Sequence, residues 1–442
     1  MQKIVGGEVI DISVIGLGKL GSPMAAVFAS NGFRVVGVDV DPNKVNAINA
    51  RRAPVEETDL QKLIDELPDP NLLQGAFSIP LAVKQTDITF IVAATPSRED
   101  GEFSLEYILP ICDEIGKAIK EKGKYHIVVV TSTVMPRDTS GPIKRILEFA
   151  SGKKCGVDFG LCYNPEFIAL GSVIHDFQNP DMILIGNDDN SGQTLVEIYR
   201  KVCKNNPQVC MMSTVNAELT KISINTYITT KISYANMLAR ICEQVPGADV
   251  DVITDAAGFD SRIGHKYLKG SISYGGPCFP RDNIALSAFA ERVDSPAKLA
   301  KVVDEFNKDQ VEWMAQLVSD QINNGTILVL GLTYKLNTNV RTEAFGTLLV
   351  QSLKNKGCKV IAYDPVIHND KEVLKEFISI ADLIVIAMPC QEFKDLTIND
   401  WTEGRYKVVI DCWRDFKYLD NVESIKYIPL GIGGKEKSCL RL

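Results

Sequence analysis

Residues 12–41 read ISVIGLGKLGSPMAAVFASNGFRVVGVDVD, in which an apolar strand meets a glycine-rich turn, a helix and a second strand that ends near Asp39. Gly16, Gly18 and Gly21 stand in GxGxxG spacing. The first glycine permits a tight turn, the second lets the backbone approach a pyrophosphate, and the third lets the helix pack closely on the strand. The Asp39 carboxylate, about 20 residues further on, would bind ribose hydroxyls and repel a 2′-phosphate. The stretch predicts a Rossmann-type domain that binds NAD rather than NADP, against the alternative of a glycine-rich turn without a ligand.

The same alternation of strands and helices organises most of the chain. Apolar runs such as ITFIVAAT and HIVVVTSTV follow in the first part, and the pattern restarts near residue 324 with GTILVLGLTYK. Residues 216–245 contain neither glycine nor proline and have a helical apolar period, which predicts one helix of about thirty residues. We predict an α/β fold with two Rossmann-like doubly wound domains (1–212 and 319–442) joined by a long central helix and a helical middle domain (213–318).

Composition excludes several classes of protein. The chain has 442 residues, of which 45% are hydrophobic and 24% charged, as in a folded protein of two or three domains. A net charge of -8 argues against a nucleic-acid or anionic-membrane surface. The first residues show no signal peptide and no apolar run reaches about 18 residues, so we expect a cytoplasmic protein. Eleven cysteines without a CxxC pair and four scattered histidines predict reduced thiols and no metal site.

One cysteine lies in an unusual setting. Residues 271–283 read SISYGGPCFPRDN, which we interpret as a loop in which two glycines turn the backbone so that Cys278 faces a cavity. A nearby cation would there favour the nucleophilic thiolate. Asp282, four residues on, could hold a water or a lysine. Most cysteines in a chain of this kind are buried and only structural, but the polar bend around Cys278 favours a functional role for this one.

Further candidates lie on the long helix and at strand ends. Lys221 and Asn225 share one helix face and could bind a substrate oxygen and stabilise an alkoxide, although such pairs are usually solvated. Glu166, behind a proline in NPEF, is a candidate general base for water, or a glutamate at a helix start. Thr95 and Thr133 follow two strands, where ligands collect in open α/β sheets, but both could equally cap helices or stabilise turns.

These residue types together describe the oxidation of an alcohol to an acid at one site. Their motifs run in order as GLGKLG, STVMP, YNPEF, AELTKISIN, DSRIGHKYLKG, YGGPCFPRD, GLTYK and AYDP. In this the chain resembles the UDP-glucose/GDP-mannose dehydrogenase family, NAD-dependent nucleotide-sugar 6-dehydrogenases. The resemblance implies a four-electron oxidation at C6 through a cysteine thiohemiacetal and thioester, with two NAD and one water per sugar. It favours UDP-glucose, with a UDP-N-acetylhexosamine or GDP-mannose as alternatives, and it implies a homodimer built on the long helix.

The resemblance also assigns roles. It makes Cys278 the nucleophile, Lys221 and Asn225 the ligands of the C6 oxygens, and Asp282 the support of the lysine and a water. By the same resemblance, Glu166 takes part in thioester hydrolysis and Thr133 lies near the catalytic water. Arg262 is expected to reach the neighbouring subunit's substrate, and Lys335 and Arg341 to close over the nucleotide. The predicted cofactor contacts are Gly16, Gly18, Lys19, Leu20, Gly21, Asp39, Thr95, Thr133 and Arg341. The predicted substrate contacts are Glu166, Phe167, Lys221, Asn225, Arg262, Tyr274, Gly275, Phe279, Tyr334 and Lys335.

The chain departs from the family's pattern at three positions near the expected sugar and uridine contacts. Leu170 in PEFIALG replaces a second carboxylate, Arg281 replaces a lysine, and Asn339 stands in a shortened segment that usually has an aspartate. Two other hypotheses remain. A 3-hydroxyacid or 6-phosphogluconate type of dehydrogenase would perform one oxidation and need no cysteine, and a non-catalytic NAD sensor would need none of the catalytic residues.

Overall fold

The structure is a computed structural model that describes residues 4–5, 8–368 and 370–434. The chain folds into two compact units, of which the first ends at Ser223 and the second begins at Ile224. The division into three domains stays a prediction, and its outer limits, residues 1 and 442, lie outside the described residues.

The first unit is built on an eight-stranded sheet in the order β10-β9-β8-β7-β6-β3-β4-β5, beside a two-stranded pair of β1 and β2. Its strands are β1 (Ile4–Val5), β2 (Glu8–Val9), β3 (Asp11–Ile15), β4 (Arg34–Val38), β5 (Leu73–Ala76), β6 (Ile88–Ile91), β7 (Ile127–Val130), β8 (Gly160–Tyr163), β9 (Met182–Asn187) and β10 (Gln208–Met212). Neighbouring strands of the large sheet are parallel except β8 and β9, which are antiparallel. The run from β5 to β8 has the strand order 3-2-1-4-5-6 of a Rossmann fold.

Helices lie between these strands, and the last helix follows β10 and extends past Ser223 into the second unit. They are α1 (Gly21–Ser30), α2 (Pro42–Asn49), α3 (Leu60–Asp65), α4 (Ile79–Gln85), α5 (Ile108–Glu121), α6 (Lys144–Ser151), α7 (Val173–Gln178), α8 (Gly192–Val202) and α9 (Thr214–Gln244). A π-helical turn precedes α6 at Thr139–Ile143, and a 3-10 turn covers Pro70–Leu72.

The core of the first unit explains why its central strands are apolar without alternation. Every residue of β6 and β7 is buried, because helices cover both faces of the sheet. Phe28 of α1 packs its ring against Phe33, Phe90 and Phe177 at centroid distances of 6.3, 5.0 and 5.5 Å. Burying one such ring contributes about 1.5–3 kcal/mol.

The second unit contains a five-stranded parallel sheet in the order β12-β11-β13-β14-β15. Its strands are β11 (Thr326–Leu330), β12 (Lys359–Tyr363), β13 (Leu383–Ile386), β14 (Lys407–Asp411) and β15 (Ile425–Pro429). The order corresponds to 2-1-3-4-5, the flavodoxin type of doubly wound sheet. Its helices are α10 (Val250–Gly258), α11 (Phe279–Arg292), α12 (Lys298–Ser319), α13 (Phe345–Asn355), α14 (Pro365–His368), α15 (Lys371–Ile380), α16 (Gln391–Lys394) and α17 (Ile398–Thr402), with a 3-10 turn at Lys417–Asn421.

The long helix is confirmed as α9, which has 31 residues. The loop prediction for residues 271–283 is wrong at its end, because α11 begins at Phe279 and so contains the segment FPRD. Pro280 is compatible with this start, since the N–H that proline lacks would have no helical partner in the first turn. The predicted helix that follows is interrupted after Arg292 and resumes at Lys298.

Candidate active site

The glycine turn has the geometry that its spacing predicts. Gly16 has a φ of 102°, and a Cβ there would lie 2.2 Å from the carbonyl oxygen of Val92. A Cβ at Gly21 would lie 1.8 Å from the carbonyl oxygen of Gly16, so the start of α1 packs directly on the turn. A Cβ at Gly18 would meet no described atom within 4 Å, which leaves room for a ligand beside the backbone. Lys19 and Leu20 are half-buried in the same turn.

A cavity of about 560 Å³ adjoins this turn within the first unit. Gly16, Gly18 and Asp39 line it, and the rings of Phe77 and Tyr107 belong to its wall. Asp39 is nearly buried, and its Oδ2 accepts a hydrogen bond of 2.7 Å from the N–H of Leu17. A mostly apolar cavity that has the Asp39 carboxylate in its wall beside a glycine turn fits the adenosine half of NAD. The residues present therefore fit the predicted cofactor.

The loops after β6 and β7 meet at two predicted residues. The hydroxyl of Thr95 donates a hydrogen bond of 2.8 Å to the backbone carbonyl of Thr133. Thr95 is buried, whereas Thr133 is half-buried. The contact fixes the two loops to each other at the carboxyl ends of their strands.

The structure brings Glu166, Phe167 and Lys221 together. The ammonium Nζ of Lys221 donates a hydrogen bond of 2.6 Å to the backbone carbonyl of Glu166 and lies 4.4 Å from the centroid of the Phe167 ring. Lys221 is buried, with only 7% of its surface exposed. A lysine held in this way is a directed cation and not a solvated surface charge.

The carboxyl group of Glu166 has a partner that the sequence did not indicate. The hydroxyl of Tyr199, on α8, lies 2.7 Å from Oε1 of Glu166 and 2.5 Å from Oδ1 of Asn164. Burial raises the pKa of Glu166 to about 7, while the tyrosine and the charge of Lys221 act in the opposite direction. A carboxyl group with this pKa can exchange a proton near neutral pH.

Glu218 is a second buried carboxylate that sequence reasoning missed. It accepts hydrogen bonds from the N–H groups of Arg137, at 2.6 Å, and Thr139, at 2.8 Å. Burial raises its pKa to about 7, against these hydrogen bonds. Glu218 thus ties the turn after Thr133 to α9, one helical turn before Lys221.

In the second unit, Asn225 and Asp282 form a buried pair. Nδ2 of Asn225 donates a hydrogen bond of 2.6 Å to Oδ2 of Asp282, and both side chains are less than 10% exposed. Cys278 stands at the N-cap of α11 and is exposed, and its carbonyl accepts a hydrogen bond from the N–H of Asp282. Of the ten cysteines in the described part of the chain, only Cys278 is exposed.

The glycine loop before Cys278 is packed against a second loop of the same unit. A Cβ at Gly275 would lie 2.1 Å from the carbonyl oxygen of Glu343, and one at Gly276 would lie 2.6 Å from the Tyr334 ring. Gly276 also has a φ of 87°. The loop therefore requires glycine at both positions.

Tyr274 and Phe279 flank that loop. The buried hydroxyl of Tyr274 accepts a hydrogen bond of 2.7 Å from Nδ2 of Asn283, and its ring meets Phe279 edge-on at 6.3 Å. Burial raises the pKa of Tyr274, so the hydroxyl stays protonated.

The predicted cations of the second unit lie nearer the surface. Arg262 is exposed and paired with Asp260 at 2.6 Å, Arg341 is exposed, and Lys335 is half-buried. The three residues that depart from the family's pattern are likewise half-buried or exposed. Leu170 is half-buried in the first unit, Asn339 is exposed, and Arg281 is half-buried beside Asp282.

Three sequence models of domains match this chain. They are those of the UDP-glucose/GDP-mannose dehydrogenase family: the NAD binding domain at residues 10–203, the central domain at residues 215–309 and the UDP binding domain at residues 328–418. The UDP-glucose 6-dehydrogenase of Haloferax volcanii is 33% identical over 417 residues, which cover 91% of this chain and 96% of that protein. The chain belongs to the UDP-glucose/GDP-mannose dehydrogenase family.

Two further similar proteins have GDP-mannose and UDP-glucose in their names. The GDP-mannose 6-dehydrogenase of Pseudomonas aeruginosa is 32% identical over 356 residues, 80% of each chain. The solved structure of a UDP-glucose dehydrogenase from Pyrobaculum islandicum is 30% identical, has a TM-score of 0.86, and is matched over 98% of this chain and 100% of that one.

Family membership confirms the predicted fold and enzyme class. This family member is an NAD-dependent oxidoreductase that acts on CH–OH groups of nucleotide sugars, with an NAD-binding and a UDP-binding domain. Within the residues that the structure describes, no helix is both long and apolar enough to cross a membrane.

Proposed function

We propose that this family member oxidises the C6 hydroxymethyl group of a nucleotide sugar to a carboxylate in two successive oxidations, with UDP-glucose as the first candidate substrate. The observation that carries the proposal is the exposed Cys278 at the start of α11, in a loop where glycine is required. A single oxidation of an alcohol needs no thiol, whereas the oxidation of an aldehyde to an acid gains a covalent route from one.

Each residue has a task set by its chemistry. Lys221 is a buried, directed cation that would stabilise an alkoxide at C6. Asn225 lies one helical turn further along α9 and gives one amide hydrogen to Asp282. Its second amide hydrogen would bind the C6 oxygen together with Lys221. Asp282 in turn orients that amide. Thr133, in a loop anchored through Thr95 and near the turn bound by Glu218, would bind the water of the last step.

The reaction balances with two successive covalent intermediates on Cys278, a thiohemiacetal and a thioester. The first oxidation yields an aldehyde, the Cys278 thiolate adds to its carbonyl carbon, and the second oxidation converts the thiohemiacetal into a thioester. When bound, NAD accepts the hydride that C6 loses in each oxidation. Water, deprotonated by Glu166, breaks the thioester and restores the thiol. In total, R–CH2OH, two NAD and one water give R–COO⁻, two NADH and three protons.

The two units divide the binding. We assign the cofactor to the glycine turn and Asp39 of the first unit, where the cavity fits adenosine. We assign the nucleotide of the sugar to residues 319–442, which include the match to the UDP binding domain and the half-buried Lys335. Arg341 would close over the bound nucleotide.

UDP-glucose is favoured because the Haloferax volcanii relative that carries this name matches over nearly the whole chain, whereas the GDP-mannose enzyme matches over 80% of it. Leu170, Arg281 and Asn339 are the positions at which a different sugar would find different contacts. A UDP-N-acetylhexosamine and GDP-mannose are the alternative substrates.

A homodimer built on α9 is part of the proposal. Tyr227, Tyr234 and Ile241 are spaced by seven residues and lie exposed on one face of α9. An exposed apolar stripe of this kind is typical of a helix that binds a second helix. In such a dimer the exposed Arg262 would be available to the neighbouring subunit's substrate.

The test is the amount of NADH formed per sugar consumed. Purified protein receives NAD and, in separate reactions, UDP-glucose, UDP-galactose, two UDP-N-acetylhexosamines and GDP-mannose. Two NADH per molecule of one preferred sugar is the expected result. One NADH per sugar would contradict the thioester route, and no NADH from any of the five would contradict the assignment of substrate class to this chain.

A further inference from the structure

Three side chains of the first unit form a short polar chain that ends at Glu166. Oδ1 of Asn164 lies 2.5 Å from the hydroxyl oxygen of Tyr199, and that oxygen lies 2.7 Å from Oε1 of Glu166. Asn164 and Tyr199 are buried, at 1% and 2% exposure. Both contacts are short enough to be hydrogen bonds between oxygens.

The orientation of the Asn164 amide is fixed by the backbone. Its Nδ2 donates a hydrogen bond of 2.9 Å to the carbonyl oxygen of Leu184 in β9. If the amide were rotated by half a turn, two carbonyl oxygens would face each other without a proton between them. Oδ1 of Asn164 therefore faces Tyr199 and can only accept a hydrogen bond.

The number of protons then determines the state of Glu166. The two oxygen–oxygen contacts need two protons, but the Tyr199 hydroxyl supplies one and the Asn164 oxygen none. Burial, and then the nearby carboxyl group, raise the pKa of Tyr199 well above its usual value, so its proton stays in place. The second proton has to come from Glu166. With Glu166 neutral, its O–H donates to Tyr199 and Tyr199 donates to Asn164. With Glu166 ionised, the single Tyr199 proton can serve only one of the two contacts. In the other contact two oxygens that can only accept face each other without a proton.

We propose that Asn164 and Tyr199 are positioning residues that act on Glu166 in opposite directions: the Tyr199 hydroxyl can donate to the ionised carboxylate, and Asn164 competes for that proton and so favours the protonated form in the resting enzyme. Glu166 becomes a base only in the fraction of molecules that have released its proton. The inference rests on the proposed function, in which Glu166 deprotonates the hydrolytic water. The pair thereby sets the pH at which hydrolysis begins, without contacting the substrate.

The surrounding charges are consistent with this balance. Burial favours the neutral carboxyl group, whereas the nearby ammonium of Lys221 on α9 favours the anion. Cys203, which follows α8, is a further titratable group close to this carboxyl group, and burial raises its pKa to about 12, so it carries no charge at neutral pH. The balance places the pKa of Glu166 at about 7.

Two substitutions separate the roles because they shift the midpoint of Glu166 in opposite directions. Tyr199→Phe removes the donor that the ionised form needs most, so the midpoint should rise by about one pH unit. Asn164→Leu removes the competing acceptor and frees the tyrosine proton for the ionised carboxylate, so the midpoint should fall by about one pH unit. Because Asn164 acts through Tyr199, the double variant should titrate like Tyr199→Phe alone.

The measurement does not require turnover. Infrared difference spectra between each chain and the same chain carrying Glu166→Gln, recorded from about pH 5 to about pH 9, isolate the protonated carboxyl band of Glu166. The pH profile of kcat, measured with the preferred nucleotide sugar, should shift in parallel. Opposite shifts of the infrared midpoint in the two variants support the proposal, even if no nucleotide sugar is turned over and the proposed function fails.

Other outcomes overturn the proposal. An unchanged midpoint in Tyr199→Phe means that the hydroxyl has only a packing role. A rise or no change in Asn164→Leu means that the amide does not compete for the tyrosine proton. If circular dichroism shows that Asn164→Leu does not fold, Tyr199→Phe decides alone, and an unchanged or lowered midpoint there contradicts the proposal.

Discussion

Asn225 and Asp282 lie 57 residues apart in sequence, yet Nδ2 of one lies 2.6 Å from Oδ2 of the other in a buried setting. The carboxylate fixes the rotation of the amide, since it can only accept. One amide hydrogen and the amide oxygen of Asn225 thus have a defined direction. A buried charged hydrogen bond of this type is worth about 1.5–3 kcal/mol.

Asp282→Asn should therefore lower kcat about 100-fold, because the new amide can no longer hold Asn225 in one orientation. The KM for NAD should change little, since the glycine turn and Asp39, to which the adenosine half of the cofactor is assigned, belong to the first unit. The measurement is steady-state kinetics with the preferred nucleotide sugar. Glu291→Gln, on the exposed side of the same helix α11, is the matched control and should behave like the native enzyme. A native kcat in Asp282→Asn would exclude the aspartate from the catalytic machinery.

Cys278→Ser should lower the rate of acid formation at least about 1,000-fold, because an alcohol oxygen is a far weaker nucleophile toward the aldehyde. Intact-mass measurement after mixing with NAD and sugar should find a transient adduct on the native chain and none on the variant. Cys358→Ser, at a half-buried cysteine of the same unit, is the control. An adduct that persists in Cys278→Ser would place the nucleophile elsewhere.

The fold could be predicted largely because its signals are local. The glycine turn and Asp39 are read within thirty residues, and a glycine-free segment of helical period predicts α9 almost to its ends. The order of the second sheet could not be predicted, because strand pairing depends on contacts between distant residues. The start of α11 is not predicted, because the two glycines before Cys278 indicate a loop and Pro280, which is compatible with a first helical turn, does not mark the helix by itself.

The candidate site could be predicted residue by residue but not contact by contact. Lys221 was a candidate from its helix face, but its bond to the carbonyl of Glu166 spans 55 residues and has no sequence signal. Tyr199 lies at an apolar position of an amphipathic helix, where a tyrosine suggests core packing. Glu218 suggests a solvated helix charge until its two backbone donors are seen. Buried polar residues are recognised only when their partners are known.

Glu218 should make the protein less stable as the pH rises through a defined window. Its pKa is about 7 in the folded chain and about 4.5 when unfolded, so the folded state holds a proton that the unfolded state has released. The stabilisation is complete below about pH 4.5 and is lost by about pH 7, with a total on the order of 3 kcal/mol. Thermal unfolding of the native chain should accordingly show a falling Tm across this window.

Glu218→Gln removes this ionisation, so the slope of Tm against pH should become shallower, with the remainder due to Glu166 and other buried acids. Glu66→Gln, at an exposed glutamate, should reproduce the native slope. A native slope in Glu218→Gln as well would mean that the carboxylate is ionised at the same pH in the folded and the unfolded chain.

The proposed dimer can be tested on the exposed stripe of α9. Tyr234→Glu places a charge in the middle of the stripe formed by Tyr227, Tyr234 and Ile241, and burying an unpaired charge costs several kcal/mol. The dimer Kd should therefore rise at least about 100-fold, measured by sedimentation velocity over a range of concentrations. Phe149→Glu makes the same type of change at an exposed ring on α6 of the first unit and should leave the Kd unchanged. A native chain that sediments as a monomer, or equal weakening by both substitutions, would reject α9 as the dimer interface.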